Sequence, residues 1–125
     1  MRSRSNDPSR AGADAGAVVA EFAIAMPAAV LVLAFGLGAL ATGARQVLLQ
    51  DAAADGARLW ARGESAERVG DAVRATVADA SITLDRRGGL VCLTVSAPAP
   101  LPVIGRLSAT GCALDEGVAP WPAQG

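Results

Sequence analysis

Two pairs of residues in this chain have the types and spacing to do chemistry. Gly16 and Glu21 stand five positions apart at the mouth of a long apolar run, and Cys92 and Cys112 stand twenty apart in the C-terminal half. A glycine leaves the backbone open to an enzyme that grips the chain. A carboxylate at the centre of a lipid-embedded helix costs ~2.5–3.5 kcal/mol on insertion scales, so even near the edge Glu21 needs a reason. Taken alone, it reads as an interfacial charge reaching back to the headgroups. For the cysteines, a disulfide is the leading reading if this half lies outside the membrane, and two buried free thiols are the alternative. Such a bond stabilises a small domain by ~3 kcal/mol.

Other chemistry is poorly served. Histidine and lysine are both absent, which removes Ser-His and Ser-Lys nucleophile pairs. Two thiols without Cys-x-x-Cys spacing make a poor metal site, and no cofactor is expected. Asp51 and Asp55 could be imagined as paired carboxylates, but exposed helix acids are far commoner. Neither Gly88-Gly89, which reads as a hairpin turn, nor Gly36-x-Gly38, in the apolar run, makes a phosphate loop. A net charge of −1 with scattered arginines gives no case for nucleic acid. No enzyme activity and no small-molecule substrate are expected.

The element that must position Glu21 is the run from Phe22 to Ala44, 23 residues without a charged side chain. A helix of that length spans ~34 Å, against a hydrocarbon core of ~30 Å. Arg2, Arg4 and Arg10 precede it, so the N-terminus is expected to stay cytoplasmic, although Arg45 on the far side opposes this. An ordinary signal peptide is the competing reading, with Ala39-Leu40-Ala41 as a small-x-small cleavage site. The apolar run is longer than such peptides carry.

Gly16, the apolar Ala17 to Ala20, Glu21-Phe22-Ala23, Ile24-Ala25-Met26-Pro27 and the run to Leu33 form one ordered pattern. It resembles the processing site of type IV prepilins, and more closely that of the TadE-like pilins of tight-adherence pili. Ala20 departs from the valine usual before the glutamate. A looser echo lies in Asp51 to Arg58 and in Cys112-Ala-Leu-Asp-Glu116. The resemblance implies cleavage between Gly16 and Ala17 by a membrane-embedded prepilin peptidase. It implies assembly with other pilin subunits and pilus machinery through Ala17, Glu21, Phe22 and Pro27. The size and folded C-terminal part suggest a minor pilin. The rival from another class is a singly anchored envelope protein whose outer domain binds something. Trp60 and Trp121 are the few aromatic anchors it offers such a role.

Along the chain, residues 1–16 read as a disordered cytoplasmic leader, 17–44 as the transmembrane helix, 45–114 as an extracytoplasmic domain and 115–125 as a flexible tail. Pro27 removes a donor inside the helix and crowds the carbonyl of Ala23. Ala34-xxx-Gly38 and Ala39-xxx-Gly43 fit small-xxx-small helix packing, beside the plainer reading of an alanine-rich span. Helix is expected to continue to about Arg62, with Leu48, Ala52, Asp55 and Leu59 on one stripe beside Val47 and Trp60, and to stop at Gly63. A second amphipathic helix is expected after Ser65 as N-cap, with Ala66, Val69, Val73, Val77 and Ala80 facing a core. From Ser81 the period becomes two. Ile82 and Leu84, then Leu90 to Val95, then Leu107 to Leu114 read as strands, separated by a turn over Asp85 to Gly89 and a connector with Pro98, Pro100 and Pro102. Gly111 marks a possible bulge. The expected class is α+β: a long N-terminal helix, half in the membrane, then a second helix and a small antiparallel sheet.

Overall fold

The computed structural model describes residues 8–117. Its elements run α1 (Pro8–Ala61), α2 (Ala66–Thr76), β1 (Ser81–Arg87), β2 (Leu90–Pro98), a short 3-10 turn (Pro102–Ile104) and β3 (Arg106–Leu114). The class is α+β, as the periodicities require. The chain divides into two compact units, Met1–Leu37 and Gly38–Gly125. Residues 1–7 of the expected leader, with Arg2 and Arg4, and 118–125 of the expected tail, with Trp121, lie outside the described residues.

The first unit is helical from Pro8. This corrects the expected start near Ala17: residues 8–16 are helix and not an unstructured leader. Proline at the first helical position fixes φ where no donor is needed, and Ala11, Ala13 and Ala15 are strong helix formers.

The second unit is a three-stranded antiparallel sheet in the order β1-β2-β3. One of its faces is covered by the C-terminal part of α1 and by α2, which share a core of Leu49, Ala52, Ala53, Ala57, Val69, Val73, Val77, Leu93, Val95, Ala97 and Ala109. Val91, Leu93, Val95 and Ala97 alternate with less buried residues along β2, the period of two expected there. The β1–β2 turn is tighter than expected. Arg87 pairs with Leu90, leaving Gly88-Gly89 alone at the tip. Both have positive φ, 56° and 79°, as the commonest two-residue hairpin turn demands. Asp85, Arg86 and Arg87 therefore belong to the strand.

The face of α1 that meets the sheet differs from the expected stripe. Leu49, Ala52, Ala53, Gly56, Ala57 and Ala61 are buried, whereas Leu48 and Asp55 are exposed. Small residues win because the helix lies very close. A Cβ on Gly56 would fall 2.2 Å from a methyl of Leu93, and one on Gly111 would fall 2.6 Å from the backbone of Ala53. Gly111 is thus no bulge: it pairs with Leu93 in unbroken register and is glycine because a helix backbone presses on it.

The helix boundaries follow their capping residues. α1 ends where Gly63 adopts φ 88°, with Gly63 N–H donating to Trp60 O at 3.0 Å and Glu64 N–H to Leu59 O at 3.3 Å. That pair of bonds is the Schellman arrangement. Ser65 caps α2 by accepting from the Arg68 N–H at 3.3 Å. α2 ends at Thr76, so Val77, though buried, sits just past it and Ala80 lies in the following turn. Ala66, expected on the core face, is exposed in the first turn of α2, whose buried residues begin at Val69.

Candidate functional site

In the first unit, Gly16, Ala17, Glu21, Phe22 and Pro27 all lie on α1. Ala17 and Glu21 are four residues apart, which makes them neighbours on one helix face at about 5–6 Å between Cβ atoms. No side chain is buried in the most apolar 18-residue stretch of this helix, the one helix among the described residues long and apolar enough to cross a membrane. Phe22 is 64% exposed and Ile24 74%. Glu21 forms no ion pair among the described residues. A Cβ at Gly16 would meet nothing within 4 Å, so its glycine identity answers to no packing demand among the described residues. Pro27 stands inside the helix and leaves the carbonyl of Ala23 without its usual donor. The arrangement is an apolar helix surface, one that water does not favour, with two carboxylates, Asp14 and Glu21, near its start. Glu21 is the one that borders the charge-free run.

In the second unit, Cys92 and Cys112 face each other in the β2–β3 register and are bonded. They sit on the sheet face opposite the helices, where cross-strand rows of polar side chains line up. Thr94 and Thr110 share a hydrogen bond of 2.9 Å, and Ser81 and Ser96 one of 3.0 Å. Arg106 lies across this face and donates to Ser81 Oγ at 2.8 Å.

Polar links absent from the sequence reading tie α1, the α2–β1 connection, the sheet and the residues just after β3 to one another. Arg45 pairs with Asp79, and Gln46 Nε2 donates to Ser108 O at 2.9 Å. Arg86 lies 4.7 Å from the Trp60 ring centroid and pairs with Asp115 at 3.3 Å. Asp115 N–H also donates to Gly89 O at 2.9 Å, and Glu116 N–H to Ala61 O at 3.2 Å. The expected flexible tail is therefore held at its first two residues. No local periodicity announces such links, because their partners are far apart in sequence.

An open groove of about 400 Å³ runs between α1 and α2, bordered by Asp51, Asp55, Arg58 and Arg62 and floored by Leu59 and Val73. Asp55 and Arg58, three positions apart on α1 and so neighbours on one helix face, meet at 3.3 Å. Both aspartates are exposed. Among the described residues, no group of three His, Cys, Asp or Glu side chains comes together. Comparisons with family models, with curated proteins and with solved structures give no match for this chain.

Proposed function

We propose that the chain is a prepilin-type structural or assembly component of a tight-adherence pilus, similar to TadE-like minor pilins. The observation that carries this reading is an apolar helix surface with nothing buried, headed by a carboxylate five residues after a glycine that no packing requires. A helix of this kind needs lipid or other helices around it. The N-terminus stays in the cytoplasm, the helix crosses the membrane once, and the sheet-bearing unit lies outside, where its disulfide is stable.

Processing cuts between Gly16 and Ala17. That bond lies within α1, so the first turns unwind to present it. Gly12 and Gly16 lower the cost, since each weakens a helix by about 1 kcal/mol relative to alanine. Cleavage frees the amine of Ala17, which is cationic at neutral pH. Neighbouring helices staggered by one turn then bring the Glu21 carboxylate of one copy to the Ala17 amine of the next. Each charge is costly in lipid by itself, and pairing offsets much of that cost while setting register.

The deciding experiment is N-terminal sequencing of the protein extracted from membranes. The expected first residue is Ala17. Met1 would leave an uncleaved anchor, as in an envelope binding protein, and Thr42 would mean an ordinary signal peptidase. Either result refutes the proposal.

A further inference from the structure

The two edges of the sheet are built differently. β1 carries Asp85, Arg86 and Arg87 toward its end, the kind of charged residues that keep an edge from pairing with another chain. β3 runs nine residues without proline, bulge or lysine. Its one charged residue, Arg106, is turned across the outer face to Ser81 and Ser96 and does not guard the edge.

The backbone groups that β3 leaves open can be assigned. The 4.1 Å Cα separation of Cys92 and Cys112 marks a pair that does not exchange backbone hydrogen bonds. By alternation, Ser108, Thr110 and Cys112 all direct their N–H and C=O groups away from β2. The bond from Gln46 Nε2 to Ser108 O agrees with this assignment. Among the described residues it is the one bond made to these outward groups.

We infer that the free edge of β3 pairs antiparallel with β3 of a second copy of this chain, centred on Thr110. The sequence of the strand is self-complementary about that point. Gly111 then opposes Ala109 and Ala113 opposes Leu107 on the inner face; Cys112 opposes Ser108 and Leu114 opposes Arg106 on the outer. No like charges face each other, small residues meet beneath the helices, and the polar rows of the outer face continue into the partner. Ser108 O has a second lone pair for the partner's Cys112 N–H beside Gln46. Such an interface is isologous and closes at two copies. It stands independently of the pilin proposal, since it uses the second unit alone.

The test uses the full chain in detergent micelles, with a photo-crosslinking residue in place of Leu114, which is 76% exposed. The expected product has twice the chain mass, and its cross-link maps to Arg106 or Leu107 of the other copy. Thr110→Pro in the same background removes an outward N–H and spares the backbone ladder between β2 and β3. It also gives up the exposed Thr94–Thr110 side-chain bond, and its cross-link yield falls at least tenfold while a cooperative thermal transition is kept. Thr110→Lys keeps the N–H but sets two like charges opposite each other, and it lowers the yield as well. Dimer-mass adducts mapping only to α1, or a yield indifferent to both Thr110 variants, would overturn the inference. Failure of Thr110→Pro to fold leaves the decision to the Lys variant.

Discussion

α1 runs through two regions that treat the same small residues in opposite ways. Between Gly12 and Leu37 every described side chain is exposed, and a Cβ added to Gly12, Gly16 or Gly36 meets nothing. Between Leu49 and Ala61 the alanines and Gly56 are the contact surface itself, pressed on β2, β3 and α2. The lesson is that alanine and glycine mean little alone. In the second region they let a helix reach a sheet. In the first they meet no packing demand among the described residues.

Substitutions in the first region test that contrast most severely, because their effects are all or none. Gly16→Leu is expected to abolish processing and leave the full-length precursor in the membrane, visible as a mass that retains residues 1–16, while the melting of the second unit is unchanged. Glu21→Ala is expected to insert and be cleaved yet fail to enter filaments, with Glu21→Asp intermediate because its arm is shorter. A Glu21→Ala chain recovered with pili at the parent's level would defeat the proposed pairing.

Next in size is the reverse experiment in the second region. Gly111→Val pushes atoms into the backbone of Ala53, only 2.6 Å from where its Cβ would lie. Overpacking of this kind costs about 3 kcal/mol, read as a lower denaturant midpoint for the second unit. Gly36→Val, in the first region, where a Cβ meets nothing, is expected to leave the stability of the second unit within about 0.5 kcal/mol of the parent's. Equal effects at the two glycines would erase the distinction between the regions.

Removal of the cross-link comes third. Cys112→Ser opens the bond that joins β2 to β3, and the expected loss is about 2–4 kcal/mol in chemical denaturation. Alkylation of two thiols in the unreduced native protein would contradict the structure. The smallest effect is at the α2 cap, where Ser65→Ala removes the acceptor for the Arg68 N–H and should cost about 1 kcal/mol.

The sequence by itself determined the elements and several of their ends, though not the start of α1 at Pro8 or the reach of β1 to Arg87. The apolar run is defined by the absence of charge from Phe22 to Ala44, and Gly63, Ser65 and Gly88-Gly89 act through backbone geometry that neighbours alone dictate. The alternation in β2 is likewise local, and it placed Cys92 on the face opposite Val91 and Leu93. What the tertiary structure decided was contact. The expected stripe of Leu48, Ala52, Asp55 and Leu59 is right for Ala52 and for Leu59, which packs against the core. Leu48 and Asp55 are exposed, however, and the buried face is completed by Leu49, Ala53, Gly56 and Ala57, since close approach selects for missing side chains that carry almost no hydropathy signal. Gly111 looked like a bulge for the same reason. Its cause, the backbone of Ala53, lies 58 positions away in the chain. Asp115 is held by Arg86 and Gly89, partners that only the closed sheet brings within reach.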